Sequence, residues 1–162
     1  METALECANT IADFIKEKLK EYDEKEPTTG KEYLVHVGFL PIVEKSEDKK
    51  KLCPALAIRP VLVEDREKFS LVRLTIYATV YDEDMKHGCE SLYHILEFLR
   101  FHLLTNNPIA ERFEIRIRDD DTVETFIPDE QPWPMWWGRL DFAAHLAQPS
   151  VNRIVRENKW RR

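Results

Sequence analysis

The sequence predicts an α+β fold in which two helices pack on one face of a largely antiparallel mixed sheet. Apolar residues recur at helical spacing in two separate stretches, one near the N-terminus and one in the middle of the chain. Six strand-like runs fall between and after these stretches. Two helical stretches among runs of successive strands describe an α+β domain. The expected order is α-β-β-β-α-β-β-β.

The first helix is predicted to begin at Thr3, because Thr3 and Glu6 have the spacing of a capping box. An apolar stripe follows at helical period and comprises Leu5, Ala8, Ile11, Ala12, Ile15, Leu19 and Tyr22. The polar residues 23–31, which include Pro27 and Gly30, are expected to end the helix in a loop.

Three strands are predicted next, over residues 33–43, 55–63 and 69–81. The last of these alternates most clearly. One face carries Val72, Leu74, Ile76, Ala78 and Val80, and the face expected to be exposed carries Arg73, Thr75, Tyr77, Thr79 and Tyr81. Residues 46–51 are predicted to form a charged loop, and residues 64–68 a charged hairpin loop.

The second helix is predicted from the acidic residues 82–84 to about residue 105, since acidic side chains favour the positive end of a helix. Its apolar surface is wider than one stripe, so we expect it to lie between the sheet and the first helix. Cys89 belongs to that surface and is expected to be an inert core residue. The remaining strands are predicted over residues 113–118, 123–127 and 136–146.

Charge is distributed unevenly along the 162 residues. Residues 1–149 are expected to form one domain, and residues 150–162 a basic C-terminal tail. The tail has five basic residues and one acid, a net charge of +4, so the total of −6 leaves −10 for the remainder. Such an acidic body is not expected to bind nucleic acid over its main surface. The tail could contact an acidic neighbour or a phosphate backbone, or remain solvated.

Several classes of protein do not fit the composition. No apolar run approaches the roughly 18 residues of a membrane span, and the acidic start Met1-Glu2-Thr3 is not typical of a signal peptide. The cysteines Cys7, Cys53 and Cys89 have neither a metal spacing nor a convincing disulfide pattern, so a reducing, intracellular site of synthesis is expected.

Each candidate metal or ligand site lacks part of the sequence pattern that it would need. His87, Glu90 and His94 could share one helix face and bind a metal, but their spacing is not His-Glu-x-x-His. Residues 119–121, three aspartates, are expected to form an acidic turn, because a calcium loop starting there would lack its glycine. Only four glycines are present, and no phosphate-binding loop is apparent. We therefore predict no enzyme activity, no metal site and no cofactor.

The most informative segment is residues 129–139, which contains three of the four tryptophans and two of the nine prolines. Fully burying one indole removes roughly 150–250 Å² from water, so these rings are expected to pack on the core, on a partner, or on both. The prolines should hold the segment extended before the last strand. The predicted interface residues are Trp133, Trp136 and Trp137, Arg73 and Tyr77 on the exposed strand face, and Glu64, Asp65, Arg66, Lys49 and Lys50 in the charged loops.

Three segments give the chain a family resemblance: Cys53-Pro54-Ala55-Leu56-Ala57-Ile58-Arg59-Pro60, Thr79-Val80-Tyr81-Asp82-Glu83-Asp84, and Glu130-Gln131-Pro132-Trp133-Pro134-Met135-Trp136-Trp137-Gly138. With these segments the chain resembles the tail terminators and related minor tail proteins of long-tailed bacteriophages and prophages. The resemblance implies a structural subunit, without a cofactor, that forms a six-fold ring on the finished tail tube. It also implies contacts with the tail tube protein and a head-completion protein at the head–tail junction of the virion, after assembly in the host cytoplasm.

Other functions fit some of the same residues. A head-closure, neck or other minor tail protein has similar size and no catalytic site. A metal-dependent enzyme could use the face formed by His87, Glu90 and His94. A small-molecule binding module would need a deep, dry pocket beneath the tryptophans.

Overall fold

The computed structural model describes residues 2–25 and 32–149. Within these residues the chain forms three helices and six strands. In chain order they are α1 (Ala4–Lys25), β1 (Leu34–Val37), α2 (Ser46–Leu52), β2 (Ala55–Asp65), β3 (Ser70–Tyr81), α3 (Glu90–Thr105), β4 (Ile115–Arg116), β5 (Glu124–Phe126) and β6 (Met135–Leu146). None of the described helices has the length and apolar character needed to cross a membrane.

All six strands belong to one mixed sheet, which confirms the predicted α+β class. The strand order is β1-β2-β3-β6-β4, and β5 also pairs with β6. The β1–β2 pair is parallel, and every other pair is antiparallel. The centre is the long β3–β6 ladder, which runs from Ser70 opposite Leu146 to Tyr81 opposite Met135.

The core lies between this sheet and the helices α1 and α3. Helix α1 contacts β1 and β2, and α3 contacts β3 and β6. The even-numbered residues of β3 from Val72 to Val80 face the helices, as the alternation predicted. Each fully buried Leu or Ile in this layer contributes roughly 1.5–3 kcal/mol of transfer free energy.

Helix α1 begins as the capping box predicted. The Glu6 backbone amide donates to Thr3 Oγ1 at 3.1 Å, which satisfies one of the amides left unpaired at the helix start. The loop predicted over residues 23–31 begins later, because α1 continues to Lys25, and residues 26–31 lie outside the described residues.

Helix α3 begins at Glu90, eight residues later than predicted. The acidic side chains before it bind the local backbone instead of starting a helix: Asp84 Oδ1 accepts the amides of Lys86 and His87 at 2.9 and 3.0 Å. Such side-chain contacts compete with helical hydrogen bonding. Cys89, directly before the helix, is half-buried and not the core residue expected from the sequence.

Helix α3 is covered less completely than its composition suggested. The ring of Phe98 lies 4.7 Å from that of Tyr22, so α1 flanks α3 as expected. However, the outward side chains Tyr93 and Phe101 are more than half exposed. The helix is therefore covered by the sheet and on one flank by α1, and is not enclosed.

The predicted charged loop at residues 46–51 is wrong, because these residues form helix α2. Acidic Glu47 and Asp48 lie in its first turn, and three lysines lie in its last turn, an order that complements the helix dipole. The strand predicted over residues 33–43 is also shorter. It ends at Val37 because Gly38, with φ +95°, turns the chain away.

Candidate assembly surface

The sheet has a second face, directed away from α1 and α3, which we call the open face. It carries the odd-numbered residues of β3 and β6, which face the same way because the two strands pair residue for residue. In one row across the sheet Ala57 of β2 pairs with Tyr77 of β3, which pairs with Arg139 of β6, which pairs with Phe126 of β5. Residues distant in sequence are thus assembled into one surface.

Aromatic rings and guanidinium groups occupy the middle of the open face. We call this set the aromatic row, defined as Phe39, Arg59, Tyr77, Trp137, Arg139 and Phe126. The Arg59 guanidinium carbon lies 3.9 Å from the Phe39 ring centroid and 4.7 Å from that of Tyr77. Such distances are typical of cation–π contacts.

The aromatic row continues to the other side of Tyr77. The rings of Tyr77 and Trp137 are 6.0 Å apart, and Arg139 lies 4.7 Å from the centroid of Phe126. Phe39 is 76% exposed and Phe126 is 46% exposed. Tyr, Trp, Phe and Arg are the residue types enriched at protein–protein interfaces.

Hydrogen bonds fix the two arginines of the aromatic row. Arg59 Nε donates to the Gly38 carbonyl at 3.2 Å. Arg139 Nε donates to Asp141 Oδ2 at 2.8 Å, and this bond raises the pKa of the Arg139 guanidinium above its ordinary value. Asp141 also accepts from Thr75 Oγ1 at 2.7 Å. The side chains are therefore held in place before any partner binds.

The prediction that the odd-numbered face of β3 is an exposed row needs a correction. Arg73, Tyr77 and Tyr81 are partly accessible, but Thr75 and Thr79 are buried. The hydroxyl of Thr75 is bound to Asp141, and that of Thr79 accepts from Cys53 Sγ at 3.7 Å. These two threonines are structural residues.

The three tryptophans have three different environments. Trp136 lies on the helix side, packs against the core, and donates from Nε1 to the Asp82 carbonyl at 3.0 Å. Trp137 belongs to the aromatic row, and Trp133 is 49% exposed. Of the packing expected for these rings, the core contact is present for Trp136, and the contact of the others with a partner stays a prediction.

The segment before β6 turns instead of remaining extended. The amide of Met135 donates to the Pro132 carbonyl at 3.0 Å. Gln131 connects the turn to the strand: its Oε1 accepts the Trp137 amide at 2.7 Å, and its Nε2 donates to the Trp137 carbonyl at 3.0 Å. The side chain of Gln131 thus makes the two backbone hydrogen bonds that a neighbouring strand would make at Trp137.

A charged cluster surrounds Asp121 near the β2–β3 hairpin, and we call it the hairpin cluster. It consists of Glu64, Arg66, Arg73, Arg116 and Asp121. The Asp121 side chain is only 3% exposed, and its oxygens lie 3.2 Å from Arg116 Nε and 3.6 Å from Arg73 Nη2. Arg73 Nε also contacts Glu64 Oε2 at 2.7 Å. These charges are largely neutralised within the chain.

Three residues predicted to lie at an interface, Glu64, Arg66 and Arg73, therefore form ion pairs with other residues of this chain. Asp65 likewise accepts from Ser70 Oγ at 2.5 Å. Sequence reasoning missed Asp121, because three adjacent aspartates indicate a solvated turn and give no sign that the third is buried.

The two predicted lysines lie on α2. The ammonium of Lys50 is 5.6 Å from the centroid of the Tyr81 ring, which places α2 at the border of the open face. Lys49 is in the last turn, where its carbonyl accepts the Cys53 amide at 3.3 Å.

Two of the three residues considered for metal binding come together. His87 Nδ1 lies 2.8 Å from Glu90 Oε1, and this contact raises the pKa of His87 above 6.5. In residues 2–25 and 32–149 no group of three His, Cys, Asp or Glu side chains has a geometry that could hold a metal ion. Burial raises the pKa of the Cys7 thiol to about 12, so that thiol is not a nucleophile at neutral pH.

A small cleft of about 220 Å³ lies on the open face beside the hairpin cluster. Its polar lining includes Arg73, Thr75, Thr122, Glu124 and Asp141, and Val61 forms an apolar edge. It does not lie beneath the tryptophans, where a small-molecule binding module would need its pocket.

Comparison of the sequence with protein-family models and with curated proteins gives no match.

Proposed function

We propose that this chain is a structural protein of a phage or prophage tail, and specifically a tail terminator that caps the tail tube and joins it to the head. The observation that carries the proposal is the aromatic row, a set of partly accessible, interface-type side chains on the sheet face directed away from α1 and α3. The resemblance through the Cys-Pro, Tyr-Asp and Trp-Trp-Gly segments supports the same function.

The physical properties of the open face favour a macromolecular partner. Arginines fixed by hydrogen bonds and stacked on aromatic rings lose little side-chain entropy when a partner binds. Interfaces derive much of their affinity from a few such Trp, Tyr and Arg side chains. Phe39, Phe126 and Trp133 already expose apolar area that a partner would cover.

In this function the partners are other copies of the chain in a ring, the tail tube protein and a head-completion protein. The site of action is the head–tail junction of the virion, reached from the host cytoplasm during assembly. No cofactor and no bond-breaking step are required. The basic residues 150–162 lie outside the described residues.

The proposal is tested by electron micrographs of particles produced without this chain. A terminator stops tube growth, so its loss should give overlong tails that do not join heads. Complementation with the wild-type chain should restore normal tails. Tailless or leaking heads would favour the head-closure alternative instead, and normal particles would contradict both functions.

A further inference from the structure

The outer edge of β2 is paired over only part of its length. Strand β1 pairs with β2 from Ala55 to Ile58, and its last backbone contact is from the Gly38 amide to the Ile58 carbonyl. Beyond this point, no strand within residues 2–25 and 32–149 pairs with the outer edge from Arg59 to Asp65. Unpaired backbone groups on such an edge can accept an added strand.

Three consecutive apolar residues on this edge are exposed. Val61, Leu62 and Val63 are 52%, 51% and 46% exposed. A regular strand would bury one face, but the register shifts between Pro60 and Leu62. An apolar edge of this kind is normally blocked by charge or covered by another segment.

The surface beside the edge is partly acidic. The cleft next to Val61 is lined by the carboxylates of Glu124 and Asp141, with one cation, Arg73. Asp141 is already paired with Arg139, so the exposed carboxylate of Glu124 is the one that attracts a cation. Arg73 is already paired with Glu64 and Asp121. The cleft therefore favours a basic side chain from an incoming segment.

The chain itself supplies a segment of this chemistry. Residues 150–162 have a net charge of +4 and also include Val151, Ile154, Val155 and Trp160. They follow the end of β6, where Gln148 Nε2 donates to the Arg66 carbonyl at 2.8 Å, at the hairpin end of β2. Thirteen residues span at most about 43–47 Å when extended, enough to reach a neighbouring molecule.

We propose that residues 150–162 of a second copy bind along the open edge of β2, with a basic side chain in the cleft and apolar side chains on Val61–Val63. Two bodies of charge −10 repel each other, whereas a +4 segment on an acidic body attracts it. The contact is heterologous and therefore generates a ring when it closes. Its place in a tail ring rests on the proposed function.

The test uses two full-length variants with complementary defects. Leu62→Lys places a charge on the edge and leaves the basic segment intact. A triple variant, Arg153→Glu with Arg156→Glu and Arg161→Glu, reverses the charge at three positions of the segment and leaves the edge intact. Leu5→Lys is the matched control, because Leu5 is similarly exposed but lies on α1. Melting curves establish that each variant is folded.

Mass is measured by light scattering over a range of protein and salt concentrations. The wild type and Leu5→Lys should self-associate, more weakly at high salt. Each defective variant alone should self-associate at least about tenfold more weakly. An equal mixture of the two should form pairs containing one of each, because one intact segment then meets one intact edge.

Four results would overturn the inference: a wild type that stays monomeric at its highest soluble concentration, either defective variant associating as the wild type does, a mixture without mixed pairs, or loss of association in Leu5→Lys. These light-scattering results do not depend on tail morphology. Normal tails in particles lacking the chain would refute the proposed function and leave the measured contact standing.

Discussion

At the scale of single residues, neighbouring positions in one strand have different structural roles. Trp136 and Trp137 are adjacent, but alternation directs the first to the core and the second to the open face. Gly88 allows the close approach of Trp136, since a Cβ at Gly88 would lie 2.7 Å from Trp136 Nε1. The sequence left open whether each tryptophan packs on the core or on a partner, because the neighbours of each ring come from elements far away in the chain.

The first prediction separates the two rings. Trp136→Ala should lower the free energy of unfolding by about 3 kcal/mol, because it removes core contacts and the bond to Asp82. Trp137→Ala should cost less than half as much, yet weaken assembly more. Denaturant unfolding and light scattering measure the two effects, with Tyr93→Ala, at a half-exposed aromatic residue of α3, as the control. Equal losses of stability in both variants would contradict the assignment.

The second prediction concerns His87, whose pKa is raised chiefly by its hydrogen bond to Glu90. Since the folded-state pKa lies above the ordinary 6.5, the stabilisation is complete below that value and is lost as the pH rises through the raised pKa. Glu90→Gln should return the His87 pKa towards 6.5 in an NMR titration. An unchanged pKa would refute the pairing, and a zinc-dependent shift of the wild-type signal would support the metal alternative.

At the scale of elements, apolar periodicity predicted those helices and strands that bury one face in the core. The start of α1 and the bounds of β3 and β6 followed from apolar spacing and capping residues, whereas α1 ends later than predicted, at Lys25. Helix α2 was not predicted because it has no apolar stripe. Its helical signal is the order of its charges, with acidic residues in the first turn and lysines in the last. Gly138 in β6 shows a further limit: a Cβ there would lie 2.8 Å from Leu96 Cδ1, so this glycine allows close packing of α3 that no local pattern reveals.

The third prediction tests how the β4–β5 segment is attached to the β2–β3 hairpin. Asp121→Ala removes the buried carboxylate at 3.2 Å from Arg116 and leaves this nearly buried guanidinium only the longer, 3.5 Å contact to the exposed Asp119, so we expect a loss of about 3 kcal/mol in the free energy of unfolding. The exposed neighbour Asp120→Ala is the control and should cost little. Denaturant unfolding measures both variants, and a similarly small loss at Asp121 would show that the hairpin cluster does not stabilise the fold.

At the scale of the whole molecule, the surface could not be predicted from sequence. The aromatic row takes residues from the segment after β1 and from β2, β3, β5 and β6, and only the strand order brings them together. Tyr77 and Trp137 were predicted interface residues, whereas Phe39, Arg59, Arg139 and Phe126 were missed. Arg59 gave one signal, since it interrupts an otherwise apolar strand.

The fourth prediction concerns charge at the border of the open face. Lys49→Glu with Lys50→Glu should impair the joining of tails to heads, because the side chains of both lysines are exposed. The reversal also opposes the dipole of α2, at about 0.3–1 kcal/mol for each charge, so the domain should melt slightly earlier but remain folded. Infectivity and melting temperature are the two measurements. Reversal of Lys16, a partly exposed residue of α1, is the control and should leave infectivity unchanged. Normal infectivity of the double variant would remove α2 from the partner contacts.

The central claim is that the aromatic row builds this chain into a larger particle. The most direct measurement is the amount of the chain in purified virus particles, by quantitative mass spectrometry, for the wild type and for Tyr77→Ala with Trp137→Ala. We expect a fixed, small number of wild-type copies per particle and a loss of at least about tenfold in the folded double variant. Absence of the wild-type chain from particles, or equal incorporation of the variant, would contradict the claim.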